Sequence, residues 1–305
     1  MDNIGSIGIF QGIILNEDYI SNNDLITLVP YDNTSPMDHE INIYKPIIEK
    51  SLHKNFEYSG IVSRSFETKT GLDFLSIKKI ISSEDADIFI FSPHQYEEKI
   101  WESIWDQTYI FHEKSIKLIQ QTLILAGFPK LTLEDLVHTP WCFSHFWFAK
   151  SEIFEDIAKD LILINRLMRK NSLSQFKVKN YSSLSKPSEG ELTKNYILLP
   201  FAMERIVGYL IRKKLDKRYK LYVYKDPRSL DEKFHKNQSL LNNSYKKILE
   251  NKKIYNYSIS TKKSYRDNIY STNIFNSDIR KNLSKYCDTP FNLERLMILK
   301  NGEYI

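Results

Sequence analysis

Residues 58–71, YSGIVSRSFETKTG, place Gly60, Ser63, Arg64, Ser65, Lys69 and Thr70 within one short segment. These residue types suit an anionic, hydroxyl-rich ligand. Arg64 can grip a pyrophosphate through its planar fork, and Lys69 can add a point charge. Ser63 can bond a phosphate or a sugar hydroxyl, and Gly60 can let the backbone approach the ligand closely. The same residues would also make a solvated turn, with Glu67 available to both cations. Both readings stand at this level.

Other groups with chemical potential are spread along the chain. Asp32 and Asn33 could receive a base or ribose, although Asx residues ahead of a proline are ordinary turn formers. Asp85 and Asp87, one residue apart, could ligate Mn²⁺ or Mg²⁺ through carboxylate oxygens, or could simply cap a strand entrance. His94 follows the next apolar run and could contact phosphate or serve as a ligand. The segment TPWCFSHFWFAK, 139–150, surrounds His145 with Trp141, Phe143, Phe146, Trp147 and Phe148. Aromatic faces stack on sugar rings, so Trp141 could touch donor or acceptor while His145 bonds a hydroxyl or helps remove its proton. Most of these rings must be core, and Cys142 reads as a buried small hydrophobe. Glu204 and Arg205 interrupt an apolar helical stretch and need partners if they point inward. They form either a structural ion pair or a catalytic pair, with Glu204 receiving the acceptor proton and Arg205 steadying the donor.

The elements that must carry these residues follow an α/β pattern. IGIFQ (7–11), LITLV (25–29) and 58–62 read as strands, with Pro30 ending the second. INIYKPIIEKSL (41–52) suits a helix despite Pro46. Residues 72–83 have apolar positions 72, 75, 77, 80 and 81 and suit a helix packed on a sheet. Residues 88–91 then form a continuous apolar run, the mark of a central strand. This strand–helix–strand order predicts a layered α/β fold with its ligand at the C-terminal ends of the strands. Helices are expected over much of 95–126, over 151–171 and over 201–214, with a loop at 172–192 and a short strand at 221–225.

Composition sets the broad class. The 305 residues allow one large core or a main domain with an appendage, and 42% apolar content excludes a disordered chain. Residues 1–210 carry 21 basic and 28 acidic groups, whereas 211–305 carry 22 and 10. The basic C-terminal part could rest on an anionic membrane surface or be a solvated lysine-rich face. The acidic remainder argues against nucleic acid as the main substrate. Two cysteines without a CxxC pair fit a reducing cytoplasm, and the acidic start MDNIGSIGIF does not resemble a secretory signal. The longest apolar stretch, 196–211, is broken by Glu204 and Arg205, so no membrane span is expected.

The order YDNTSP…YKPI, YSGIVSRSFETKTGL and DADIFIFSP resembles bacterial proteins of surface-polysaccharide synthesis. HTPWCFSHFWFAKSEIFEDI and ILLPFAMERIVGYLI resemble the middle and closing segments of GT-A-type glycosyltransferases. The resemblance covers about residues 5–214 and is one of order and texture. It implies a GT-A-like (Rossmann-like) mixed sheet with flanking helices over 1–214, and the charge asymmetry sets apart a basic, mostly helical extension or small subdomain over 215–305. It also implies a nucleotide-sugar donor, a glycan or lipid-linked acceptor and a cytoplasmic enzyme able to sit at the inner membrane. One departure matters. The family's metal-binding Asp-x-Asp follows a central strand, whereas Asp85 and Asp87 precede theirs, so metal-independent transfer is equally open. The alternatives are a glycan- or membrane-binding protein without catalysis, and a Mg-dependent phosphotransferase or nuclease built on Asp85 and Asp87.

Overall fold

The computed structural model describes residues 6–14, 24–31, 40–93, 103–172, 177–178, 196–197, 199–215 and 218–224. Its strands are β1 (Ile7–Ile14), β2 (Thr27–Tyr31), β3 (Tyr58–Val62), β4 (Ile88–Ile90), β5 (Trp147–Lys150), β6 (Lys177–Val178), β7 (Tyr196–Ile197) and β8 (Leu221–Val223). Its helices are α1 (Ile41–Glu49), α2 (Phe66–Thr70), α3 (Phe74–Ser83), α4 (Ile104–Leu125), α5 (Leu133–His138), α6 (Ser151–Ser172) and α7 (Leu199–Leu215). Six strands form one sheet in the order β2-β1-β3-β5-β4-β8, and β6 pairs with β7 apart from it. β1 is parallel to β2 and β3, and β4 is parallel to β8. β5 runs antiparallel between β3 and β4. The result is a mixed α/β sheet in which five strands share one direction.

Period-two alternation divides the sheet's side chains between two cores. Phe10, Ile61, Ile88, Ile90, Trp147 and Ala149 pack on one face with α1, α4, α6 and α7. Ile7, Ile9, Phe89, Phe91, Phe146 and Phe148 pack on the other with α2 and α3. Covering both faces explains why 88–91 reads as an unbroken apolar run. Each large side chain moved fully from water contributes roughly 1.5–3 kcal/mol.

Several local outcomes differ from expectation. Pro30 lies inside β2 instead of ending it, which is possible because β2 is an edge strand. The helix expected over 41–52 does form, as α1 with Pro46 inside it. α3 is entered at Asp73, whose Oδ1 accepts the Ser76 N–H at 2.6 Å. Its buried face is Phe74, Ile77 and Ile81, and Leu75 is 49% exposed. The segment after β3 is more than a loop, because 66–70 coil into α2 and Gly71 ends it with φ of 73°. The aromatic stretch at 147–150 supplies the antiparallel strand, which was not anticipated. β8 joins the same sheet from beyond the expected boundary at 214, and the Lys220 carbonyl accepts the N–H groups of Asp87 and Ile88 at 2.9 and 3.1 Å.

Two glycines permit close approach. Gly60 stands opposite Phe148, and a Cβ there would lie 2.4 Å from the Phe148 ring and 2.5 Å from the Trp147 carbonyl oxygen. Gly208 lets α7 come so near the chain at 139–140 that a Cβ would be 2.5 Å from the Pro140 oxygen. That approach sets α7 beside the turn described next.

Candidate functional site

The sheet's strand order fixes where a ligand crevice can form. β2 and β3 lie on opposite sides of β1, so the order reverses between β1 and β3. Crevices in such sheets open beyond the C-terminal ends of the strands at that reversal. At this edge Gln11 pairs with Val62, and Ser63 begins the segment that leads to α2. β5 starts at the same edge. Its register sets Trp147 opposite Ile90, and the Phe91 N–H donates to the Phe146 carbonyl at 2.8 Å. The turn Phe143–His145 therefore arrives level with the ends of β3 and β4. Ser92, just after β4, is buried there, and its Oγ lacks a hydrogen-bond partner.

That turn is unusual in its backbone. Ser144 and His145 have φ of 58° and 55°, a pair of adjacent left-handed residues without a glycine. Such residues cost free energy and persist only where neighbours hold them. Here the neighbours are specific. The Ser144 N–H donates to Glu204 Oε1 at 3.0 Å. Lys69 Nζ donates to Ser144 Oγ at 3.4 Å and lies 5.7 Å from the centre of the Phe146 ring. Ser63 and Ser65 share a hydrogen bond of 3.0 Å between their hydroxyls. The polar cluster after β3, the turn at 143–145 and the first half of α7 are thus joined.

Behind Glu204 stands Arg205, 2% exposed. Its guanidinium donates to Glu204 Oε2 at 2.9 Å, to the Phe201 carbonyl at 3.1 Å, to Thr108 Oγ1 at 3.0 Å and to Gln107 Oε1 at 2.5 Å. It also stacks over Phe143, 5.3 Å from the ring centre. A buried charge satisfied on this many sides is tolerable, and it ties α4 to α7. Both oxygens of Glu204 are engaged, one by the turn and one by Arg205.

His145 is 1% exposed, and its Nδ1 lies 3.4 Å from the Tyr44 hydroxyl. Trp147 Nε1 donates to the same hydroxyl oxygen at 2.7 Å. Burial pushes the Tyr44 phenol well above its ordinary value, so it stays protonated. Burial also raises the Cys142 thiol well above its ordinary range, with the Glu204 charge adding to the effect. Cys142 is an inert core residue, as its sequence context suggested. Trp141 is half-buried against Phe143, ring centres 5.5 Å apart.

The remaining expected site residues lie elsewhere. Gly60 is inside β3, and the space above it is filled by Phe148, so its smallness serves packing and does not open the backbone to a ligand. Asp85 and Asp87 sit at the entrance of β4, level with Tyr58 and Lys150, at the end of the sheet opposite the Ser63–Lys69 cluster. Asp87 binds Lys150 Nζ at 2.7 Å and accepts the Lys220 N–H at 2.8 Å. Burial pulls its carboxyl upward, but these bonds outweigh that and hold it below the ordinary carboxylate value. Asp85 is exposed and paired with the Lys220 ammonium. Both acidic groups thus pair with lysines at the strand entrance. Among the described residues no group of three His, Cys, Asp or Glu side chains is placed to hold a metal ion. Asp32 and His94 lie outside the described residues.

Sequence reasoning missed Tyr44, Gln107, Thr108 and Ser144. Their signals were weak, because a tyrosine in an amphipathic helix or a serine in an aromatic run is common in any core. Comparisons of the chain with protein-family models, with curated proteins and with solved structures gave no match in any of the three. Among the described residues no helix is long and apolar enough to cross a membrane.

Proposed function

We propose that this protein is a glycosyltransferase that moves a sugar from a nucleotide-sugar donor to an acceptor hydroxyl, with the donor seated at the C-terminal edge of β1, β3 and β4. One observation carries the reading. Lys69 reaches the Ser144–His145 turn at that edge, so two segments separated by about 75 residues meet where a ligand crevice is expected. The mixed sheet agrees with the coarse architecture implied by the resemblance to GT-A-type enzymes. Bacterial surface-glycan synthesis as the setting rests on that resemblance alone.

Departure of a nucleoside diphosphate needs positive charge on the leaving oxygens. Arg64 and Lys69 are assigned that role, Ser63 and Ser65 the hydroxyl contacts, and Trp141 the stacking face for a sugar ring. A divalent cation, if one is used, is not expected at Asp85 and Asp87, because lysines occupy those carboxylates at the far end of the sheet.

The test is a thermal-shift and ligand-observed NMR screen of the full chain against UDP, GDP, CMP and their sugars, with and without Mn²⁺, repeated on Arg64→Ala and Lys69→Ala. Saturable binding of one nucleotide, weakened at least tenfold in both variants, is the expected result. Binding that survives both substitutions unchanged, or no binding of any nucleotide by folded protein, overturns the proposal.

A further inference from the structure

Glu204 and His145 are the residues at this edge whose types most invite assignment as a base. Their bonding argues for a different part. The carboxylate of Glu204 uses Oε1 to accept the Ser144 N–H and Oε2 to accept from Arg205. Arg205 is in turn gripped by Thr108, Gln107 and the Phe201 carbonyl, so it cannot swing away without abandoning all of them. The bond from Ser144 therefore ends on a rigid anchor.

What the anchor holds is the left-handed pair Ser144–His145. A serine and a histidine have no intrinsic preference for φ near +55°, and glycine alone accepts it freely. The conformation sets the direction of the imidazole. Trp147 Nε1–H can only donate, so the Tyr44 oxygen accepts it. The Tyr44 proton then needs an acceptor, because an unmet buried hydroxyl is costly. Nδ1 of His145 is the acceptor that lies beside it. Neutral His145 consequently carries its proton on Nε2, where it acts as a hydrogen-bond donor.

We propose that Glu204 and Arg205 are positioning residues: together they clasp the left-handed Ser144–His145 turn and, with Tyr44, keep His145 in the Nε2–H form as a donor. For its functional meaning this rests on the glycosyl-transfer reading, where a clasped turn keeps Ser144 Oγ beside Lys69 at the strand ends. Its geometry does not depend on that reading.

The experiment is nitrogen-detected NMR of the full chain labelled in its histidines, with His145 identified by its loss in His145→Asn. Wild type is expected to show the Nε2–H tautomer with Nδ1 accepting. Tyr44→Phe should remove the Nδ1 bond and shift that resonance. Glu204→Gln keeps an oxygen for the Ser144 N–H but turns its amide NH2 toward the Arg205 guanidinium, donor against donor, and should give a signature between wild type and Glu204→Ala. Glu204→Ala should lose the wild-type signature, and Ser144→Gly in the same chain should restore it, because glycine takes the turn without an anchor. An unchanged signature in Glu204→Ala overturns the clasp, as does the Nδ1–H tautomer in wild type. If Glu204→Ala does not fold, Glu204→Gln decides for the clasp, an unchanged wild-type signature being the refuting result, and an unchanged Nδ1 resonance in Tyr44→Phe refutes the tautomer. Failure of wild type to bind any nucleotide would sink the transfer reading while leaving these spectra, and the clasp, intact.

Discussion

Replacing Arg205 tests a buried charge that is bonded on four sides. Arg205→Ala removes a guanidinium that is 2% exposed and strips partners from Glu204, Gln107, Thr108 and the Phe201 carbonyl at once. Charge-assisted hydrogen bonds contribute about 1.5–3 kcal/mol each, but bonds sharing one group are not additive. Breaking a buried pair from one side typically costs about 3–5 kcal/mol, because the remaining carboxylate and amide keep their desolvation penalty. Set against a total stability of about 5–15 kcal/mol, this is a large fraction. Urea denaturation followed by circular dichroism reads the loss directly. With a slope of about 2 kcal/mol per molar, the midpoint should fall by about 1.5–2.5 M. Arg205→Lys should fall between, since it keeps a charge but not the fork that spans α4 and α7. A midpoint for Arg205→Ala within about 0.5 M of wild type would mean that the guanidinium is not the centre of this network, and the reasoning built on it would fail.

Other perturbations follow from single contacts. Gly60→Ala drives a methyl into Phe148 and the Trp147 carbonyl at 2.4 and 2.5 Å, so it should cost about 1–3 kcal/mol and lower the melting temperature by roughly 2–12 °C. A melting temperature equal to wild type would contradict the packing role. Glu155 pairs with Lys159 at 2.7 Å and lies 3.1 Å from His53 Nε2, neighbours that lower its carboxyl from an ordinary 4.5 to about 2. A depressed folded-state value stabilises the fold above the unfolded one. The gap in stability between wild type and Glu155→Gln should thus be full above pH 4.5 and close as pH falls toward about 2, in denaturation curves taken across that range. A gap independent of pH would refute the ion-pair assignment. Asp85→Asn loses only an exposed pair with Lys220 and should leave both melting temperature and nucleotide affinity unchanged. A cation requirement that disappears in Asp85→Asn would favour the metal reading.

Much of the scaffold was legible because burial leaves a periodic trace. The run at 88–91 announced a central strand since both faces of the sheet are covered, and the ends of β3, α3, α6 and α7 were close to expectation for the same reason, whereas β1 runs three residues past its expected end. β5 was not legible. WFAK sits within an aromatic stretch that fits a strand, a helix face or a sugar platform equally well, and only its pairing with β3 and β4 decides. Strand order was equally hidden, because it depends on contacts between residues such as Ile88 and Leu221. For the site, residue type gave Lys69, Glu204 and His145, and tertiary contact gave their relation. Ser144 links Lys69 to Glu204 only because its backbone is left-handed, a property that no serine advertises in sequence. Asp85 and Asp87 show the converse. Their spacing suits a cation, yet their place at the strand entrance and the reach of Lys150 and Lys220 are facts of topology.

The central claim is a place, the C-terminal edge of the sheet. Hydrogen–deuterium exchange of the full chain, with and without the nucleotide selected by the binding screen, reads that place directly. Slowed exchange is predicted in the backbone of 63–70 and 143–145, with 85–87 unaffected. Protection confined to 85–87 and 218–220, at the opposite end of the sheet, would contradict the account.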